Sequence, residues 1–438
     1  MTRFSAMAAV DRSLFASSGG SYRYLVVRLD AANGEPVTRP ERRAHNIALA
    51  VDASGSMRGG KLEAAKQAAL GLVGRLTDAD RLTLVSFADD TIVHLDGVPA
   101  GPGQQARIAR AISALKTRGF TNLAEGWFAA VDRAAAVAEQ DPRLTPRAIL
   151  LSDGHANVGI TDPDALAGHA GELRRRGVLT SALGIGDGYD ELLLRGIAEA
   201  GGGRLHDAEL AEEIAAVLLG ELEDIDATAI DGVELDLALP EGFTARLLGR
   251  GGTARSSGGK GWQIGALQHG ITRTAVFQLV CPPAAPGATV TVTATARGTA
   301  AADGEDVRAE APGVALRAAD GAELHDQPRD LQLAVTVARA WLADIVGRAA
   351  ALNRQGDPHE AGEMVTRELR HFRRYVEDLP GGMEMIEQLE LLAPRAYHAL
   401  SPRLAKEMVL SAELKFSRRR DFRGAGKAGW AARIRRGE

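Results

Sequence analysis

Between about residues 45 and 222, short apolar runs alternate with amphipathic helical stretches, and no other feature narrows the fold so far. "NIALAVD", "RAILLSDG" and "VLTSALGIG" are strand-length and nearly all apolar, so both faces of their sheet must be covered. "RLTLVSFAD" and "TIVHLDGV" read as two further strands with an Asp-Asp turn between them. The intervening "GKLEAAKQAALGLVGRLT" puts Leu62, Ala65, Ala69, Leu72 and Leu76 on one helical face. "DPDALAGHAGELRRRG" starts acidic and ends basic, as the helix dipole prefers. Further helices are predicted at about 103–116, 123–138 and 208–222. The reading is a doubly wound α/β domain with a mostly parallel sheet. Ligands of such sheets sit at the carboxyl ends of strands, and Asp52 and Asp153 both fall at such ends.

The flanks follow another period. "GSYRYLVVRLD" alternates as a strand, and residues 18–44 are expected to contribute to a β-sandwich formed mainly by 226–325. The α/β domain, 45–222, is then inserted in or next to that antiparallel sandwich. From about 328 to 414 the pattern turns helical, with Leu333, Val337, Trp341 and Ile345 in one stripe. Residues 415–438 form a basic tail with nine Lys or Arg and two acids.

Composition excludes several functions. The net charge of -5 over 438 residues gives no global pull toward nucleic acid or anionic membranes. No stretch approaches 18 consecutive apolar residues, so no membrane span is expected. Cys281 is the only cysteine, which rules out an internal disulfide and any zinc site needing two cysteines. The N-terminal stretch makes a poor signal peptide. A cytoplasmic location is the expectation, although an exported protein without disulfides would look the same.

Three chemistries compete for "NIALAVDASGSMRGGK". A phosphate loop would use Gly55, Gly60 and Lys61, but Leu62 stands where a hydroxyl must hold Mg²⁺. A serine hydrolase would need the G-x-S-x-G frame, which is missing, and His155 as an imagined base has no supporting triad. The third chemistry is a divalent cation seat. Asp52, Ser54 and Ser56 alternate just past a strand end, and their oxygens suit a hard ion. One carboxylate leaves such an ion under-neutralised, so Asp153 would supply a second and Thr121 a further hydroxyl. Singly, a turn or helix cap is the safer reading of Asp52, Ser54, Ser56 and Thr121.

As a set, "DASGS" (Asp52, Ser54, Ser56), "FTN" (Thr121) and "LLSDG" (Asp153) resemble the metal-ion-dependent adhesion site of von Willebrand factor type A domains. The resemblance covers about residues 45–222 and implies the doubly wound fold already reached from periodicity. The whole layout is similar to bacterial relatives of inter-α-trypsin inhibitor heavy chains. The resemblance implies a non-enzymatic module holding Mg²⁺, with Mn²⁺ or Ca²⁺ as further candidates. A protein partner would present Asp or Glu to the ion, and no specific nucleic acid is expected. A non-catalytic accessory subunit of an ATPase or signalling enzyme is the alternative. Met57, Phe120 and Arg58 are candidate contact residues, with Met57 and Phe120 equally able to pack inward.

Overall fold

Apolar strands in the middle of the chain do form a single covered sheet. The structure is a computed structural model. It describes residues 2–33, 44–141, 143–144, 146–153, 156–186, 189–208, 211–249, 261–301, 304–401, 404–405, 407–408 and 430–435. The chain divides into two units: one is built mainly from Thr38–Ala227, the other mainly from Met1–Val37 and Thr228–Asp421.

In the first unit, six strands lie in the order Thr91–Pro99, Arg81–Phe87, Asn46–Asp52, Pro146–Ser152, Leu179–Ile185, Gly202–Ala208. All pair in parallel except the Thr91–Pro99 edge. Asn46–Asp52, Arg81–Phe87 and Pro146–Ser152 are buried almost throughout, which their unbroken apolar runs require. One face packs on the helix Lys61–Val73 and its neighbours, with Leu49, Val51, Leu62, Leu72 and Leu218 in a common core. The other face carries the helix Leu123–Gln140, with Trp127, Phe87 and Leu150 at its centre. That helix can approach because residue 126 is glycine: a Cβ there would lie 2.3 Å from the Cβ of Phe87.

The chain enters the sheet at Asn46–Asp52, builds outward to one edge, then returns to Pro146–Ser152 beside its start and builds to the other edge. The direction of winding therefore reverses between these two strands. This is the switch point where loops diverge and leave a crevice.

The second unit is mostly antiparallel, with Leu14–Ala16 pairing in parallel on Val314–Ala319. A four-stranded sheet runs Thr2–Val10, Ser21–Asn33, Arg273–Cys281, Thr244–Leu247. A six-stranded sheet contains Trp262–Gln268, Thr228–Ala238, Thr289–Ala300, Val314–Ala319 and Leu14–Ala16, with Asp306–Glu310 pairing on Thr289–Ala300. Along Ser21–Asn33 the alternation has a use on each side. Leu25, Val27 and Leu29 enter the core between the sheets, while Tyr24 and Val26 join a second core with the helices Leu331–Arg354, Pro358–Val376 and Gly382–Ala396. The predicted stripe of Leu333, Val337, Trp341 and Ile345 lies in that second core.

Three strands escape the sequence reading: Thr2–Val10, Leu14–Ala16 and Asp306–Glu310. "TRFSAMAAV" is rich in Ala, a weak strand former, and its strand is an edge fixed by nine residue pairs to Ser21–Asn33. A one-turn helix, Gly321–His325, falls within the region expected to hold only strands. Most of the basic tail lies outside the described residues, which include its helix Trp430–Arg435.

Cys281 is fully buried in the core between the sheets, and burial pushes its thiol up to about 11. The thiolate is the reactive form. Ellman's reagent at pH 8 is therefore expected to react slowly with the native protein and rapidly in denaturant. Stoichiometric release on mixing with native protein would contradict this burial.

Candidate functional site

Asp52 is the last residue of its strand and is completely buried. Its Oδ1 accepts the backbone N–H of Ser54 at 2.8 Å, and its Oδ2 accepts the Ser152 hydroxyl at 2.6 Å. Burial raises its pKa. The bonds from Ser152 and Ser54 oppose this, and the nearby Asp153 carboxylate adds to it. An anion placed there without a compensating cation is held at a cost.

After Asp52 the chain turns through a short 3-10 helix, Gly55–Met57. Within this turn the Ser54 and Ser56 hydroxyls lie 2.9 Å apart, and the Ser56 hydroxyl donates to Asp153 Oδ1 at 2.7 Å. Asp153 follows the adjacent strand Pro146–Ser152, and its Oδ2 accepts from the Lys61 ammonium. Asp52, Ser54 and Asp153 form a buried floor, while Ser56 is exposed. Oxygens from two neighbouring strand ends thus meet at the switch point.

Asp52 does cap the turn after its strand, by accepting the Ser54 N–H, but the helix-cap alternatives for Ser54, Ser56 and Thr121 do not hold. Ser54 precedes the short 3-10 helix without a side-chain cap bond, and the helix Lys61–Val73 is preceded by Gly60 rather than a serine. Asn122, not Thr121, caps Leu123–Gln140 by accepting from the Glu125 N–H. Thr121 is buried, and its backbone is clamped by Asn157. Its N–H donates to Asn157 Oδ1 at 2.9 Å, and its carbonyl accepts from the N–H groups of Asn157 and Val158. Its hydroxyl makes no hydrogen bond to the other four candidate side chains. The loop that carries it is nevertheless tied to theirs: Gly55 N–H donates to Gly119 O at 3.0 Å, and Arg118 N–H to Ala53 O at 2.6 Å.

Met57 is fully buried in the sheet core, so it contributes no contact surface. Phe120 is 66% exposed beside the site, and Ile160 and Arg58 are exposed as well. His155 lies outside the described residues. Sequence reasoning missed Ser152 and Asn157, which hold Asp52 and Thr121 in place. It also assigned Lys61 no role in a cation seat. Ser152 stands inside "LLSDG", where only its position one residue before a strand-end aspartate hinted at a role.

The donor set is two carboxylates and three hydroxyls, all hard oxygens suited to a divalent cation such as Mg²⁺. The ammonium group of Lys61 seated on Asp153 shows that the floor attracts positive charge. The residues present therefore fit such an ion. Among the described residues, no group of three or more His, Cys, Asp or Glu could hold a metal ion, so any such site depends on hydroxyls.

A mostly parallel sheet wound both ways, with a hydroxyl and carboxylate cluster at its switch point, defines a doubly wound α/β domain. The family model of the von Willebrand factor type A domain matches residues 46–217, and the chain carries such a domain. Synechocystis protein sll0103 is 33% identical over 203 residues, 46% of each chain. Human inter-alpha-trypsin inhibitor heavy chain H3 is 29% identical over 125 residues, 28% of this chain and 14% of that protein. The chain thus matches less than half the length of these curated relatives. A solved structure, von Willebrand factor type A from Catenulispora acidiphila, superposes with a TM-score of 0.68 at 18% identity. That alignment covers 94% of this chain and 97% of that one, and it is a likeness of fold.

Proposed function

We propose that the domain is a cation-dependent protein-binding module, with Asp52, Ser54, Ser56, Thr121 and Asp153 as protein donors and an Asp or Glu side chain of a partner as the outer ligand. The observation that carries this reading is the hydrogen-bonded run from Asp52 through Ser54 and Ser56 to Asp153, formed across two central strand ends and open to solvent at Ser56. A bound Mg²⁺, Mn²⁺ or Ca²⁺ would supply an electrophilic centre for the partner's carboxylate.

The chain's own residues set the rest. Ser152 and the Ser54 N–H orient Asp52, and Asn157 fixes the Thr121 backbone. Two carboxylates balance the charge of a divalent ion and the other protein donors are neutral hydroxyls, so an outer coordination position would be left for an incoming carboxylate, which makes a charge-assisted contact. Phe120 and Ile160 add apolar surface near that contact.

The module is read as non-enzymatic. The Ser56 hydroxyl donates to a carboxylate, which activates no nucleophile in the manner of a histidine base. Service as an accessory subunit of a larger enzyme is compatible with the same surface. Among the described residues no helix is long and apolar enough to cross a membrane. We keep a cytoplasmic location as part of this proposal.

The test is calorimetric titration with Mg²⁺, Mn²⁺ and Ca²⁺, followed by partner capture with and without EDTA. Saturable heat for at least one ion and EDTA-sensitive capture are expected. An intact fold that gives neither would remove the proposal.

A further inference from the structure

Lys61 is the first residue of the helix Lys61–Val73, where a positive charge opposes the helix dipole. The helix's own needs do not place it there: Glu63 supplies the acidic first turn and pairs with Lys66 at 2.7 Å. Instead the Lys61 chain reaches Asp153, 92 residues away, whose side chain is fully buried. Its route passes Gly186, at the carboxyl end of Leu179–Ile185. A Cβ at that glycine would lie 3.4 Å from Lys61 Cε, and its φ of +79° is one that other residues rarely adopt. The Lys61 side chain is 37% exposed, so it has solvent to turn into.

We propose that Lys61 is a built-in counter-cation that occupies Asp153 in the metal-free domain and must give it up when a divalent ion is taken up. This rests on the cation-site reading above and adds an element of control to it. The floor holds two carboxylates, Asp52 and Asp153, linked through Ser54 and Ser56. One ammonium neutralises half of that charge and keeps the loops assembled without metal. The same ammonium engages one of the oxygens that a divalent ion needs, so it lowers affinity. Uptake then exchanges the lysine for the ion, and the freed lysine on its four-carbon stem becomes available at the rim.

The experiment uses the full chain and Mn²⁺ as probe. Parent, Lys61→Met, Lys61→Gln, Lys61→Arg and Asp52→Asn are compared by calorimetry at neutral pH and low salt, and by thermal melting in EDTA. Lys61→Met and Lys61→Gln should bind Mn²⁺ about fivefold more tightly, the equivalent of one ion pair of about 1 kcal/mol. They should also melt a few degrees lower than the parent in EDTA. Lys61→Arg, which keeps the charge, should stay near the parent in both. Unchanged or weaker Mn²⁺ binding in both neutral variants, while the parent binds and Asp52→Asn does not, would overturn the role of Lys61 and leave the cation site standing. A parent that takes up no Mn²⁺ would overturn both. Two neutral variants of different polarity guard against a folding defect in either one.

Discussion

Asp52→Asn is expected to reduce divalent cation binding by about 100-fold or more while the domain stays folded. Removing one member of a buried charge contact costs about 2–5 kcal/mol, which is the source of that factor. Asparagine keeps an acceptor for the Ser54 N–H and offers its amide to the Ser152 hydroxyl, so the floor retains its shape. Alanine would leave the Ser54 N–H without its acceptor, at about 1–3 kcal/mol, which makes asparagine the cleaner substitution. Stability should respond in the opposite direction from binding. Burial raises the Asp52 pKa above its unfolded value. Its contribution to stability is therefore full at low pH and lost as pH rises through the folded value. In EDTA at neutral pH, Asp52→Asn should thus melt at or above the parent temperature, with a flatter pH profile. Calorimetry with Mg²⁺ or Mn²⁺ and melting across pH 4 to 8 check both halves. Undiminished cation affinity would remove Asp52 from the site.

Trp127→Ala is expected to destabilise the α/β unit by about 3–5 kcal/mol, lowering its melting point by about 10 °C. Trp127 is fully buried between the helix Leu123–Gln140 and the sheet, and its indole N–H donates to the Thr180 hydroxyl at 3.3 Å. Truncation opens a large cavity and strands that hydroxyl. The same helix begins at Asn122, directly after Thr121, so its loosening should weaken cation binding too. Of the four tryptophans, only Trp127 lies within Thr38–Ala227. The fluorescence lost in the variant therefore identifies the parent signal of this unit. Urea unfolding followed by circular dichroism measures the stability change. A loss below about 1 kcal/mol, small for any fully buried tryptophan, would show that this core does not support the sheet as described.

Much of the α/β unit was legible because its signals are local. Seven consecutive buried residues ending in Asp52 can be read as a covered strand without knowing their neighbours. The acidic start and basic end of "DPDALAGHAGELRRRG" likewise matched the helix Pro163–Arg175, with Asp162 as its cap. Less was legible where pairing supplies what propensity lacks. The Ala-rich Thr2–Val10 is a strand because Ser21–Asn33 offers it a full ladder, and nothing in its own residues requires that. The helix predicted at 208–222 runs instead over Ala211–Ala227, passing Gly220 without a break.

The candidate site divides along the same line. Residue types and their spacing determined that Asp52, Ser54, Ser56, Thr121 and Asp153 bear hard oxygens beside strand ends, because side-chain chemistry and period-two alternation are properties of the chain itself. Tertiary structure alone decided that Asn46–Asp52 and Pro146–Ser152 are neighbours, that Ser56 reaches Asp153, that Ser152 holds Asp52, and that Lys61 pairs with Asp153. Those contacts join residues about a hundred positions apart. Strand order is set by how two helical layers bury both faces of the sheet, a global packing condition that no local pattern encodes.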